Sequence, residues 1–301
     1  MRNNSLKNAI WQLKIYVLGH FFPKKLVEYR FRSIYKRNID WKHPQTIDEK
    51  INWAKFNTDT SEWTRLADKY EVRKYVRQRG LEDALVPLYG KWKSVEDINW
   101  ESLPSQFVMK MNNGSGDVMI CTDKKHFDVE QCKRHFLKLL KGKFGFEMGE
   151  PHYNKIKPLV IAEALLDKHC QSLPSTSLVD YKFFCFDGKP AYVLVCLNRV
   201  GHDLELAVYD LEWNFHPEYS VSSEHCVLHN EPLPRPLAFA EMTGMAARLS
   251  EGFPFVRVDL YEVGGKPYFG EMTFTPAAGF MYYFTSEFNR ILGDKYILKH
   301  Q

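Results

Sequence analysis

No two of the six cysteines lie close enough along the chain to make a metal or redox motif. Cys121, Cys132, Cys170, Cys185, Cys196 and Cys226 come no nearer to one another than Cys121 does to Cys132, and CxxC is absent. A zinc site and a disulfide framework are therefore not expected; reduced thiols and a cytoplasmic setting are. The eleven histidines do not cluster. His152, His202 and His216 are expected at the surface rather than as catalytic bases. There is no GxxxxGK[ST] phosphate loop. Asp-x-Asp, common in metal-dependent sugar-nucleotide transferases, is missing too. No repeat and no low-complexity tract occurs. The apolar stretch 9–22 is short for a membrane span, is interrupted by Lys14, and leads into no small-residue cleavage site.

What is present is an uneven charge. Of 41 Lys/Arg and 37 Asp/Glu, residues 1–42 hold ten basic residues and two acids, Glu28 and Asp40. A net +8 arm thus precedes a body of net −4, which suggests an anionic partner other than nucleic acid. Within the arm, Ile10, Leu13, Val17, Leu18 and Phe21 fall at helical spacing among Lys7, Lys14, Lys24 and Lys25. Two readings stand: a helix packed on the body, or a helix lying on a membrane surface through residues 1–25.

Along the chain, residues 48–57 and 66–80 read as helices, the second ending at Gly80. After Leu103-Pro104 the period becomes two. Strands are expected at 107–112 and 118–121, a helix at 128–140, and a buried strand at 158–166. A hairpin is expected at 180–186 and 191–200 through Asp187-Gly188, with 206–209 extending the same sheet. A helix follows at 238–251, and a second hairpin at 255–263 and 267–274 across Gly264-Gly265. This is an α+β protein with mainly antiparallel sheets.

The last hairpin carries the chemistry. Arg257 and Asp259 share one face of its first strand, Glu271 and Thr273 one face of its second. A two-residue loop would set Asp259 opposite Gly270 and turn the carboxylates apart. A three-residue loop, 264–266, sets Asp259 opposite Glu271 and Arg257 opposite Thr273, with the polar side chains on one face; this register is the one expected. Carboxylates opposed at about 5 Å need a cation or a proton between them. Mg²⁺ meets that need; so do salt bridges to Arg257 or to lysines.

Three strands carry a cation where apolar residues dominate: Lys110 in FVMKM, Lys182 in DYKFFCF and Arg199 in VCLNRV. Asp180 shares a face with Lys182. Next to Lys110, Asn113-Gly114-Ser115-Gly116 offers backbone N–H groups that can approach a phosphate. Together with the carboxylate pair, these describe a site for a metal–polyphosphate complex.

In their order, the segments TIDEKINWAKFN, LADKYEVRKYV, LPSQFVMKMNNGSG, DYKFFCFDGKP and FVRVDLYEVGGKPYFGEMTFTPAAGF resemble the TupA-like branch of the ATP-grasp superfamily, from bacterial surface-polysaccharide gene clusters. The resemblance covers about residues 24–298. It implies two α+β subdomains gripping ATP, and a carboxylate joined to an amine through an acyl phosphate. It further implies a helical arm at 1–60 and an ATP-grasp domain at 61–301, divided into a helical lead-in (61–106), a Gly-rich-loop part (107–166) and a metal-binding part (167–301). Residue by residue, Lys110 would reach the α- and β-phosphates under a flap of Gly114, Ser115 and Gly116. Glu163 would meet the adenine amino group, with the backbone of Ala164 and Leu165 on the ring edge, and Asp180 would bind ribose. Lys182 and Arg199 would face the γ-phosphate and, with Arg257, make up the catalytic cations. Asp259, Glu271 and Thr273 would hold Mg²⁺. Many relatives carry Glu-x-Asn where this chain has Glu271-Met272-Thr273, so the third ligand would be a hydroxyl or a water. The expected reaction amidates a saccharide carboxylate, free or lipid-linked. A glycosyltransferase and a non-catalytic nucleotide binder are the competing readings.

Overall fold

The computed structural model describes residues 2–298 other than Ser115, Asp117, Lys143 and His202, with side chains from Ile10 onward. Helix α1 (Arg2–Phe21) is followed by α2 (Pro23–Tyr35), whose first residue is a proline with φ already suited to a helix. Helix α2 buries Leu26, Val27 and Phe31; the last two join a small core with Ile39, Ala278 and Phe280. Helix α3 (Ile47–Asn57) opens on a capping box. Thr46 Oγ1 accepts from the Glu49 N–H, and the Glu49 carboxylate accepts from the Thr46 N–H. Ile47, Ile51 and Ala54 enter the main core, and α3 packs on α8 (Ser286–Lys295). No described helix is long and apolar enough to cross a membrane.

The helix expected over 66–80 is two short ones, α4 (Ser61–Ala67) and α5 (Val72–Gln78). Asp68 explains the break. Its Oδ1 accepts from the N–H groups of Tyr70 and Glu71 at 2.8 and 3.2 Å, offering the backbone an alternative to the helical ladder. The freed N–H of Lys69 donates to Asn112 O at 2.9 Å.

Four antiparallel strands form the smaller sheet: β1 (Leu88–Trp92), β2 (Phe107–Met111), β3 (Val118–Cys121) and β4 (Val160–Glu163), in the order β1-β4-β2-β3. Strand β1 has no counterpart among the sequence-based expectations, and β4 is shorter than the stretch 158–166. Helix α6 (Val129–Lys141) starts at an Asp128 cap and covers one face with Cys132 and Phe136. These pack on Phe107, Met109 and Met111, so Val108 and Lys110 point to the other face.

The larger sheet runs β10-β9-β5-β6-β7-β8, from β5 (Asp180–Phe186), β6 (Lys189–Val200), β7 (Asp203–Asp210), β8 (Cys226–Leu228), β9 (Phe255–Val263) and β10 (Lys266–Thr273). All pairs are antiparallel except β7 with β8. Helix α7 (Phe239–Ser250) packs on β5, β6 and β9. It takes the face bearing Phe183 and Cys185 and leaves the other to Asp180 and Lys182.

The register of the last hairpin is the expected one, reached by another route. Lys266 pairs with Val263, so the loop has two residues, Gly264 and Gly265, both at positive φ (62° and 71°). A bulge at Gly270 then restores Glu271 opposite Asp259 and Thr273 opposite Arg257. A Cβ at Gly270 would lie 2.9 Å from Asp259 O and 3.1 Å from Tyr261 Cε2, so only glycine fits the bulge as built.

Candidate active site

Because Lys182 pairs with Asp259 across β5–β9, and Asp259 with Glu271 across β9–β10, the three stand in a row on the face opposite α7. Arg257 Nε and Nη2 grip Asp259 at 2.7 Å each, and Lys182 Nζ reaches Asp259 Oδ2 at 2.5 Å. Asp259 is 1% exposed. Lys182 also lies 3.3 Å from Asp180, which is 3.6 Å from Arg199. At the other end, the Thr273 hydroxyl donates to Glu271 Oε1 at 3.1 Å and accepts from Arg257 Nη2 at 3.1 Å. Lys69 Nζ lies 3.2 Å from Glu271 Oε2 and donates to Gly114 O at 2.5 Å. One chain of alternating charges thus runs from the glycine-rich loop across four strands, β10, β9, β5 and β6.

These charges hold each other ionised. Burial works to raise the Glu271 carboxyl, but Lys69, Lys182 and Arg257 outweigh it and keep it well below the usual carboxylate range. Burial would lower Lys182, yet Asp180 and Asp259 hold it above the usual ammonium range. Arg257 is likewise raised, Asp259 overcoming the cost of burial.

A second cluster sits on the smaller sheet. Lys110 Nζ reaches Glu163 Oε2 at 2.5 Å, while Arg73 donates to Glu163 Oε1 at 3.0 Å and to Val86 O at 2.7 Å. Both Glu163 oxygens are therefore engaged. The Ala164 N–H donates to Pro87 O at 2.9 Å, so a ring-edge contact from Ala164 falls to its carbonyl. Tyr261 belongs to both clusters: Asp180, burial, Glu271, Asp259 and Glu163 together push its hydroxyl well above its ordinary range.

Of the residues singled out in the sequence, Lys182, Arg257, Asp259, Glu271, Thr273 and Asp180 meet in one network. Lys110 and Glu163 meet in the other, and Gly114 touches the first through Lys69. Arg199 is looser, 41% exposed in its side chain, near a register shift between Leu197 and Val200. Gly116 has φ 82°, the left-handed region that glycine accepts; Ser115 lies outside the described residues. The sequence reading missed Lys69 and Arg73. Their signal was Asp68, a capping residue inside an apparent helix. His152 corrects another expectation. It is fully buried beside Trp63, neither ring nitrogen has a hydrogen-bond partner among the described residues, and burial pushes its pKa down to about 3. His216 is partly exposed and contacts Asp210 and Glu218; His202 lies outside the described residues.

Six cations (Lys69, Arg73, Lys110, Lys182, Arg199, Arg257) face four carboxylates (Glu163, Asp180, Asp259, Glu271), an excess of two positive charges. Among the described residues no group of three or more His, Cys, Asp or Glu side chains is gathered as a metal cluster. The available donors are two carboxylates and a hydroxyl, hard oxygens that suit Mg²⁺, an ion that usually keeps several waters and shares phosphate oxygens. Glu271, with a side chain 28% exposed, can accept such an ion readily. Asp259 could do so only by sharing oxygens already bound to Arg257 and Lys182.

The architecture and motifs have known counterparts. A search among curated proteins finds no significant match. Similar solved structures include D-alanine–D-alanine ligase from Bacillus anthracis complexed with ATP, 14% identical over 89% of this chain and 80% of that one, with a TM-score of 0.42. The Helicobacter pylori D-alanine–D-alanine ligase is 12% identical over 85% and 68%, TM-score 0.42. The ATP-grasp ligase PsnB complexed with minimal precursor is 10% identical over 73% of this chain and 54% of its own, TM-score 0.40. Likenesses this distant do not bear on what the chain acts on. The model of the family described as TupA-like ATPgrasp matches residues 49–297, which include all of the site residues named above. The chain therefore belongs to the TupA-like ATP-grasp family.

Proposed function

We propose that the protein is an ATP-dependent carboxylate–amine ligase working through an acyl phosphate, with a uronic acid or similar saccharide carboxylate of surface polysaccharide as acceptor. The observation that carries this reading is the charge chain Lys69–Glu271–Arg257–Asp259–Lys182–Asp180–Arg199, which with the Lys110 cluster has two positive charges in excess. Such an excess suits a polyphosphate anion. The TupA-like membership supports the saccharide acceptor. The division into a Gly-rich-loop part and a metal-binding part, with the arm before them, is adopted as part of the same reading.

The acceptor carboxylate oxygen attacks the γ-phosphorus of ATP. The bond from that phosphorus to the β–γ bridging oxygen breaks, and ADP leaves with the bridging oxygen. An amine then attacks the acyl carbon, phosphate leaves with its oxygen, and the nitrogen loses a proton. In this scheme Lys110 and the Gly114–Gly116 backbone bind the α- and β-phosphates. Lys182, Arg257 and the more exposed Arg199 meet the charge on the transferring phosphoryl group, where fixed cations act on it most strongly. Asp259 keeps Arg257 and Lys182 in place. Glu271, with Asp259 and Thr273, would hold Mg²⁺, which when bound supplies further neutralisation of phosphate charge. Nucleotide entry would draw Lys110 away from Glu163, leaving Arg73 to hold that carboxylate for the adenine amino group. Asp180 is assigned to the ribose, and the backbone of Ala164 and Leu165 to the ring edge.

The test incubates the protein with ATP, Mg²⁺ and paired pools of uronic acids and amines, and follows ADP release and new amide masses. Amide formation dependent on both pools is expected. Transfer of a sugar from a sugar nucleotide, with no ADP released, would overturn the reading.

A further inference from the structure

Seventeen large hydrophobic residues are exposed among the described residues, and seven of them lie between Ile10 and Phe22. They belong almost wholly to α1. This helix already has a partner on its other side. Ile15 is buried, Gly19 lies so close to Phe146 that a Cβ there would meet its carbonyl at 2.2 Å, and the His20 ring stacks on Phe146 at 3.7 Å. The outward row is Ile10, Leu13, Val17 and Phe21, successive steps of three, four and four residues along one helix face. Leu13 is 63% and Phe21 70% exposed, flanked by Trp11 and Tyr16. The apolar stripe seen in the sequence is therefore the face that the body does not cover.

The charges around this face decide its occupant. From Met1 to Val27 the sequence has five cations (Arg2, Lys7, Lys14, Lys24, Lys25) and no acid. Lys14 lies 3.6 Å from the Tyr29 ring centre and Lys24 4.4 Å from that of Trp41, so both ammonium groups are held beside the helix. An apolar row with aromatic flanks and a mainly cationic margin, in which Glu28 pairs with Lys25 at 2.9 Å, matches an anionic lipid surface: the rings suit the headgroup level, and each cation adds attraction that salt screens. We infer that α1 docks the protein on an anionic phospholipid membrane, lying along the interface with Ile10, Leu13, Val17 and Phe21 inserted. This surface is separate from the charge chain, and its test does not depend on the ligase reading.

Full-length protein is floated with vesicles of phosphatidylglycerol in phosphatidylcholine and with vesicles of phosphatidylcholine alone. Wild type should rise with the anionic vesicles, less so as salt increases, and little with the neutral ones. Leu13→Glu combined with Phe21→Glu should lower partitioning at least about tenfold, with ATP binding unchanged. Both positions are exposed, so the melting temperature should hold. Should it fall, quenching of tryptophan by brominated lipid chains serves instead, strong in wild type and lost in Trp11→Phe. The inference is overturned by absence of flotation, by equal flotation with neutral vesicles, by unchanged binding of the double variant, or by lack of Trp11-dependent quenching. Lipid-free dimers that the double variant dissolves would also overturn it, assigning the face to a second copy of the chain.

Discussion

Asp259 and Glu271 are opposed across one pair of strands but are built for different work. Asp259 is sealed between Arg257 and Lys182, whereas Glu271 is partly open and shares its charge with Lys69. Replacing either should lower turnover by more than about tenfold, ~1.4 kcal/mol of transition-state stabilisation, but the stability effects should differ. Asp259→Asn leaves two buried cations short of a partner and should cost on the order of 3 kcal/mol. Glu271→Gln should unfold nearly as wild type does. Denaturant melts alongside ADP-release assays check both halves, and equal stability of the two variants would contradict the distinction. Lys110→Ala should weaken equilibrium ATP binding about tenfold, the scale of one charge-assisted hydrogen bond. Its fold should survive because Arg73 still holds Glu163. Unchanged ATP affinity would remove Lys110 from the phosphate site. At this scale the sequence was informative: cations and carboxylates inside apolar strands stand out because burial without a partner is costly. Lys69 and Arg73 did not stand out, because in a helical pattern a charged residue is ordinary.

Strand β10 brings Glu271 to Asp259 by a bulge, and the bulge depends on one glycine. Gly270→Ala should push the strand away from Asp259 O and Tyr261. A lower melting temperature and at least about a tenfold loss of turnover are expected, since a misplacement of about 1 Å can cost that much or more. Thermal melts and steady-state assays check this; wild-type behaviour would mean that the bulge does not set the site. The far end of β10 is braced by α3. Asp48, Asn52 and Lys55 lie at i, i+4 and i+7 on one face of that helix. Asp48 accepts from the Met281 N–H at 3.0 Å, Asn52 donates to Gly279 O at 2.7 Å and Lys55 to Ala278 O at 2.6 Å. The brace holds Ala277 and Ala278 at positive φ (46° and 55°), which alanine rarely adopts. Element existence and type were mostly legible because periods of 3.6 and 2 differ sharply. The route to the hairpin register was not. Loop length alone permits two registers, and the choice of a short loop plus a bulge is made by contacts of Gly270 with the neighbouring strand.

For the whole molecule, acid stability offers a test that involves neither ligand nor site. His152 is buried and neutral, with a pKa near 3 against an ordinary 6.5. Between those values the unfolded chain binds the extra proton and the folded one does not, so stability rises with pH across this window and is lost on acidification. From pH 6.5 to 5 this one group should remove about 2 kcal/mol. Asp48, raised to about 6 by burial, acts in the opposite sense between its ordinary value and pH 6. The clean measurement is therefore a difference: urea unfolding of wild type and His152→Leu at pH 7 and pH 5. The variant should lose less stability than wild type over that interval, and parallel losses would contradict the assignment. The order of its motifs carried the family resemblance, and the sequence by itself also determined three further things: the α+β class, the positions of most helices and strands, and which strands carry charge. These three follow from residue type and local period, which need no knowledge of what lies opposite. Tertiary structure alone decided that Lys69 and Arg73 join the site, that His152 is interior, and which face of α1 stays bare. Those outcomes depend on which distant segments meet: Asn112 O accepting the Lys69 N–H, Trp63 lying over His152, and Phe146 taking the Gly19 side of the first helix. No local pattern encodes the partner of a residue a hundred positions away; packing settles it when the two sheets and their helices close on one another.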